Sequence, residues 1–169
     1  KVKKLELKTC RLLSKLPIFF ISGVLLFVFI FPRFLWAKVD LVQVVEKLQY
    51  PWAMDFLPGS EALVTEKPGR LQKVNLETGK KTEIQNLPEI HAVGQGGLLD
   101  VLVHPDFKQK QKIFLTFSAP LNASGDATTT LISARLEGQQ LLDQKILFQA
   151  DPALPGGHHF GSRVRMAQD

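Results

Sequence analysis

Short apolar segments separated by turn residues constrain this chain more than any other feature of its sequence. Beyond residue 37, segments rich in β-branched and aromatic side chains recur roughly every ten residues and are bounded by Gly, Pro, Asn or Asp. No stretch of 12 or more residues beyond residue 37 holds a helical apolar period; the nearest approach, Leu136 to Leu147, is interrupted by Gly138. The pattern therefore predicts an all-β architecture, with strands at residues 41–48, 52–57, 62–65, 71–76, 98–103, 113–118, 129–136 and 145–149.

Strand spacing leaves two all-β architectures open. A propeller blade takes four strands in roughly 40–45 residues. Residues 38–169 would then make about three blades, fewer than the four to eight that usually close a ring. Spacing alone favours a β-sandwich and a β-propeller equally.

The N-terminal segment, residues 1–37, has the pattern of a signal peptide or an N-terminal membrane anchor. A basic stretch from Lys1 to Lys15 precedes an apolar run from Leu16 to Phe31, and Ala37 offers a small residue at a cleavage position. That run is shorter than the ~20 residues that comfortably span a bilayer. Both interpretations export residues 38–169, so we expect a periplasmic or secreted protein, or one attached to the inner membrane through residues 16–31.

Charge and cysteine content argue against a nucleic-acid-binding protein and against a disulfide-stabilised one. The net charge is +5, but seven of the 21 Lys and Arg residues and only one of the 16 acidic residues lie in residues 1–37. Residues 38–169 therefore carry 14 basic and 15 acidic groups, which gives little support for nucleic acid binding. The single cysteine, Cys10, precedes the apolar run, so no disulfide is expected in the exported part.

Two glycine-bracketed polar residues are the candidates for chemistry. Gln95 lies among Gly94, Gly96 and Gly97, which suits a loop where a side chain meets a polar ligand. His159 lies between a Gly-Gly pair and a Gly-Ser pair, and a histidine exchanges protons near neutral pH, so it could act as a general base. By the residues alone, a structural role in a turn remains the stronger interpretation of His159.

The other histidines and aromatic residues fit structural roles. His104 follows a predicted strand and suits a local turn bond, and adjacent His158 and His159 point to opposite sides of an extended chain, so we predict no metal site on them. Core or between-sheet packing is expected for three aromatic side chains, and structural roles for two arginines: Trp52, Phe56, Phe107, Arg70 and Arg163.

Five motifs, read in order, give these residues a family context. The chain resembles the N-terminal part of the PQQ-dependent soluble aldose sugar dehydrogenases, the glucose/sorbosone dehydrogenase family, from about residue 41 to its end. The motifs are YPWAMDFLPG (Tyr50–Gly59), LVTEKPGRL (Leu63–Leu71), GQGGLLDV (Gly94–Val101), HPDF (His104–Phe107) and HFGSR (His159–Arg163).

The resemblance implies a fold, a cofactor and a reaction. The fold is a six-bladed β-propeller that holds pyrroloquinoline quinone (PQQ) and Ca²⁺, of which residues 38–169 would be the N-terminal part. The reaction is oxidation of the C1 hydroxyl of an aldose to a lactone, with hydride transfer to PQQ and onward transfer to an external electron acceptor. By the matching motifs, His159 is the catalytic base and a cofactor contact, Gln95 contacts substrate or cofactor, and His158 lines the substrate pocket.

Two departures from the family pattern bear on activity. Ser162 stands where glycine is common in the family. The family's cationic cofactor-binding residues and calcium ligands would lie beyond Asp169, so we expect no metal ligand in this chain and no activity from this polypeptide alone. The alternative to an enzyme is a non-catalytic propeller that binds a sugar or a protein.

Overall fold

In the computed structural model of the protein, the described residues form eight strands and one short helix. The structure describes residues 39–122, 125–153, 155 and 157–167. The elements in chain order are β1 (Pro51–Leu57), β2 (Glu61–Glu66), β3 (Arg70–Asn75), β4 (Lys81–Ile84), β5 (Leu98–Val103), α1 (Phe107–Lys110), β6 (Lys112–Pro120), β7 (Ala127–Glu137) and β8 (Gln140–Gln149).

The strands form two four-stranded antiparallel sheets, each in simple chain order. The first sheet is β1-β2-β3-β4 and the second is β5-β6-β7-β8. Tight turns make this order possible: Gly138 adopts a φ of +60° between β7 and β8, a left-handed conformation that side chains disfavour. The all-β prediction is confirmed, and residues 136–147, the nearest approach to a helical apolar period, are the end of β7, this turn and most of β8.

The hydrophobic core lies between the two sheets. Alternate residues of β6 (Ile113, Leu115 and Phe117) are nearly or fully buried there. The sheets are also joined by two polar links. Thr65 Oγ1 on β2 donates a 2.6 Å hydrogen bond to Leu99 O on β5. The carboxylate of Asp55 on β1 accepts the N–H of Val103, at the end of β5, at 2.6 Å.

Several strand predictions are wrong in instructive ways. Residues 41–48 form no strand and are mostly exposed, although their sequence is β-branched. Strand β4 was not predicted, because Lys81–Ile84 is too polar to give an apolar signal. The described residues form two four-stranded sheets and not the three blades that spacing suggests for residues 38–169, since an irregular loop at 86–97 and the segments before 51 and after 149 lie outside the sheets.

Two of the three aromatic residues predicted to pack in the core or between sheets are exposed in the described part of the chain. The side chains of Trp52 and Phe56 lie on the outer face of β1 with relative exposures of 44% and 63%, whereas Phe107 packs against the core. A strand exposes alternate residues to opposite faces, so β1 buries Ala53 and Leu57 and leaves this aromatic row outside.

The predicted signal or anchor at residues 1–37 lies outside the described residues. Within the part of the chain that the structure describes, no helix has the length and apolar character needed to cross a membrane.

Candidate active site

Two loops cross at one end of the sheets, and glycines make the crossing possible. The loop before β5 meets the segment after β8 where Gln95 N–H donates a 2.7 Å hydrogen bond to Gly157 O. Gly94 has a φ of +58°, and a Cβ there would lie inside 3.0 Å of Gly157 O, closer than real Cβ atoms approach. The two backbones can touch because Gly94 and Gly157 carry no side chain at their point of contact.

The crossing brings together the three site residues that the sequence predicts. The backbone N–H of His159 donates a 2.9 Å hydrogen bond to Oε1 of Gln95. His159 has a φ of +67°, and its ring centroid lies 6.5 Å from that of His158. All three residues are exposed. Because a backbone N–H is a donor, it fixes the orientation of the Gln95 amide, and the Nε2 group can donate to a ligand.

Hydroxyl and ammonium groups hold the glycine-rich loop in place. Ser118 Oγ on β6 accepts the N–H of Gly97 at 2.7 Å and donates to His91 O at 2.6 Å. The Lys67 ammonium donates to Gly94 O. Sequence reasoning missed Ser118 and Lys67. The signal for Ser118 was a buried hydroxyl in an otherwise apolar strand, which requires a hydrogen-bond partner.

A buried carboxylate on β5 holds the segment that follows His159. Asp100 is 1% exposed, and its Oδ1 accepts from Arg163 Nη1 at 3.0 Å while its Oδ2 accepts the N–H of Val164 at 2.7 Å. Arg163 thus makes the structural salt bridge that we predicted. Phe160, next to the candidate base, is buried with Leu99. Sequence reasoning gave Asp100 no role, although an acid inside the apolar run LLDVLV needs a partner.

A second buried carboxylate, Glu66, belongs to the first sheet. Burial alone would raise the pKa of Glu66, but hydrogen bonds from the N–H of Gln49 and from the side chains of Arg70 and Gln72 outweigh burial and lower it. Arg70 Nε lies 2.8 Å from the carboxylate, so Arg70 braces the turn as predicted. The partners of Glu66 belong to the first sheet or to the segment just before β1. Glu66 therefore stabilises the first sheet and does not hold the loop crossing.

His104 lies apart from the crossing, whereas His91 belongs to the loop before β5 and its backbone O accepts from Ser118 Oγ. His104 Nδ1 accepts the N–H of Asp106 at 2.9 Å, the local turn bond that the sequence predicts. Asp143 is an acid that precedes His159 in sequence, but its side chain pairs with Arg135 and not with a histidine. Among the described residues, no group of three or more His, Cys, Asp or Glu side chains is arranged to hold a metal ion.

Comparison with known proteins defines the class. The family model described as "Glucose / Sorbosone dehydrogenase" matches residues 48–169. The chain belongs to this family, whose members are sugar-oxidising enzymes by that description.

Particular relatives agree with the family match. Aldose sugar dehydrogenase YliI of Escherichia coli (strain K12) is 36% identical over 131 residues, which cover 76% of this chain and 35% of that protein. Quinoprotein glucose dehydrogenase B of Acinetobacter calcoaceticus is 32% identical over 101 residues, which cover 57% of this chain and 21% of that protein. The chain thus spans about a third of the length of the E. coli relative and less of the other.

Solved structures show the same similarity. The apo form of the soluble aldose sugar dehydrogenase of E. coli aligns with a TM-score of 0.67 at 35% identity, covering 73% of this chain and 36% of that one. The PQQ-bound aldose sugar dehydrogenase of Streptomyces coelicolor aligns with a TM-score of 0.54 at 28% identity, covering 66% and 34%.

Proposed function

We propose that this chain is part of an exported quinoprotein that oxidises the C1 hydroxyl of aldose sugars to lactones. The single observation that carries this proposal is the joining of Gln95 and His159 at the crossing of two loops, with both residues exposed to solvent. The family match and the quinoprotein among its relatives support the same chemistry.

The proposed fold is the N-terminal portion of a six-bladed propeller. Two consecutive four-stranded antiparallel sheets, packed face to face, have the form of propeller blades. The outer face of the first sheet, where Trp52, Met54 and Phe56 line an apolar groove of about 660 Å³, would be covered by another blade. A face this apolar suits packing against a further sheet better than contact with water.

The residues at the crossing fit one side of a bound quinone. The Gln95 amide can donate a hydrogen bond to a carbonyl oxygen, and the His159 imidazole can accept or donate one. Gly94 and Gly157 meet backbone to backbone, so no side chain lies between these two residues. When bound, PQQ would supply the two-electron oxidation by accepting a hydride from C1 of the sugar.

The chain's own contribution is to place and move a proton. Oxidation of an aldose to a lactone removes a proton from the C1 hydroxyl and a hydride from C1. His159 takes the proton on an imidazole nitrogen, and its backbone N–H holds Gln95 so that Nε2 faces the ligand. His158, adjacent and exposed, lines the substrate side. Among the described residues, no group of three or more His, Cys, Asp or Glu side chains is arranged to hold Ca²⁺.

Export and electron transfer complete the proposal. The basic and apolar pattern of residues 1–37 supports secretion to the periplasm or beyond, or attachment to the inner membrane through residues 16–31. Electrons would then leave the quinone for an external acceptor outside the cytoplasm.

Dye reduction by the intact protein, supplied with PQQ and Ca²⁺, tests the proposal across a panel of aldoses. We expect activity that requires PQQ and a loss of at least a hundredfold in His159→Ala. His104→Ala should have normal activity, because the His104 imidazole bonds to Asp106 N–H and Lys110 and stacks on Phe114, away from the crossing. Equal activity in His159→Ala and wild type would refute the role of the base. A folded protein with no activity on any aldose would favour the non-catalytic sugar- or protein-binding propeller.

Gln95→Glu separates the two functions of the glutamine. The carboxylate can still accept the N–H of His159, but it has no N–H to donate to a ligand. We expect the fold to survive and kcat/KM to fall by about tenfold to a hundredfold, the cost of one or two hydrogen bonds to a polar ligand. Unchanged kcat/KM would show that the Nε2 group meets no ligand.

A further inference from the structure

We propose that Asp100 is a positioning residue for His159, acting through the segment from Phe160 to Val164; the inference rests on the proposed function of His159. Both oxygens of this one carboxylate bind that segment, Oδ1 through Arg163 and Oδ2 through the backbone N–H of Val164. The carboxylate does not contact His159, so its effect on the base is exerted through the backbone between them.

Burial explains why this contact is strong. Asp100 is 1% exposed in a strand whose neighbours Leu99 and Val101 are also buried. A carboxylate in such a place is costly unless it is paired and hydrogen-bonded. The segment after His159 satisfies that requirement, because it brings one guanidinium N–H and one backbone N–H to the two oxygens.

The contacts of neighbouring side chains fix the same segment at the same strands. Phe160 is 5% exposed and is buried with Leu99, the residue before Asp100. Ser162 Oγ donates to Thr116 Oγ1, and that same Oγ1 accepts the N–H of Asp100 at 2.9 Å. The segment therefore docks along the second sheet through a connected set of groups with Asp100 at its centre.

His159 needs support on both sides because its backbone conformation is disfavoured. Its φ of +67° is in the left-handed region, which residues with a Cβ rarely adopt without outside constraint. Gln95 and Gly157 hold the chain before and at His159, and Asp100 holds it afterwards. Loss of the second support would let the imidazole move away from the position where it meets the C1 hydroxyl.

Asp100→Asn tests the inference, with Asp55→Asn as the matched control. Asp55 accepts the N–H of Val103, which ends the same strand, but does not touch the segment after His159. In Asp100→Asn one oxygen becomes an N–H donor facing the donors of the segment. Should Asp100→Asn fail to fold, Arg163→Met removes the cation from a side chain that is 58% exposed and leaves the carboxylate in place.

The decisive readout is amide hydrogen exchange at His159, measured in the intact protein without cofactor. We expect Asp100→Asn to speed exchange at this amide by about tenfold, the effect of losing roughly one hydrogen bond's net stability, and Arg163→Met to act in the same direction. Asp55→Asn should leave it unchanged. Wild-type exchange at His159 in Asp100→Asn, or in Arg163→Met where Asp100→Asn does not fold, would overturn the inference.

Kinetics then connect the exchange result to the reaction. With rates normalised to bound cofactor, we expect kcat of Asp100→Asn to fall about tenfold to a hundredfold, as for a base displaced by roughly 1 Å, with KM little changed. A normalised kcat equal to wild type would overturn the positioning role. Absence of sugar oxidation in the wild-type protein would instead refute the proposed function, while amide exchange would still report whether Asp100 anchors the segment.

Discussion

Gly94→Ala is the substitution that most directly probes the loop crossing. The new Cβ would lie inside 3.0 Å of Gly157 O, in a backbone conformation with a φ of +58°. The atoms that this Cβ would meet belong to the Gly157 backbone, which cannot turn aside as a flexible side chain would. We therefore expect the loops to separate, with loss of the hydrogen bonds from Gln95 N–H to Gly157 O and from His159 N–H to Gln95 Oε1.

The magnitude follows from two additive contributions. An alanine in the left-handed region costs about 1–2 kcal/mol relative to glycine. Two lost hydrogen bonds cost about 1–3 kcal/mol together, at about 0.5–1.5 kcal/mol each. Gly138→Ala is the matched control, because Gly138 has a φ of +60° and a Cβ there meets nothing within 4 Å. The control should therefore show the first contribution alone.

Urea denaturation measures the loss of stability in Gly94→Ala, and sugar oxidation measures the loss of activity. We expect the free energy of unfolding to fall by about 1–3 kcal/mol more in Gly94→Ala than in Gly138→Ala. Sugar oxidation should fall by at least tenfold in Gly94→Ala only, because His159 loses its contact with Gln95. Equal losses of stability in the two variants, with activity retained in both, would refute the account of the crossing.

Three further predictions concern stability. Glu66→Gln should destabilise the protein at neutral pH. In the folded protein the pKa of Glu66 lies below its usual 4.5. The stabilisation by ionised Glu66 is therefore present above pH 4.5 and disappears as the pH falls through the folded pKa. Denaturation at several pH values would contradict this if the difference from wild type persisted in strong acid. Leu115→Ala, at a fully buried site, should lower the free energy of unfolding by about 2–5 kcal/mol. Leu147→Ala, at an exposed site, should lower it by under about 1 kcal/mol. Similar unfolding midpoints of the two variants in urea would argue against a core between the sheets. Thr65→Val keeps the side-chain shape but removes a buried hydroxyl that joins the two sheets, so calorimetry should show a loss of about 1–3 kcal/mol. An unchanged melting temperature would mean that the link adds nothing.

Most strands could be predicted from sequence because burial and strand formation coincide in them. Residues 98–103 were predicted as a strand with the bounds that β5 has, since LLDVLV is apolar and flanked by glycine and histidine-proline turn signals. The prediction fails where a strand has polar side chains or an apolar segment forms no strand. Lys81–Ile84 pairs with β3 through its backbone although its side chains are polar, and residues 41–48 are apolar yet stay outside the sheets.

The site could be predicted only in part, for a related reason. Glycine clusters around Gln95 and His159 indicate backbone approaches, and the structure brings those two residues into contact. Which groups hold the loops depends on contacts between residues far apart in the chain. Asp100 and Val164 are separated by 64 positions, and no local pattern shows that the strand carboxylate will meet that backbone N–H. Their juxtaposition follows only from the fold.

The fate of the hydrogen on C1 of the sugar tests the central claim most directly. The intact protein, supplied with PQQ and Ca²⁺, would be given an aldose deuterated at C1, and the product would be analysed by mass spectrometry. Oxidation at C1 predicts a lactone that has lost the deuterium, formed by wild type and not by His159→Ala. An oxidised product that keeps the deuterium, or no oxidation by the folded protein, would contradict the account.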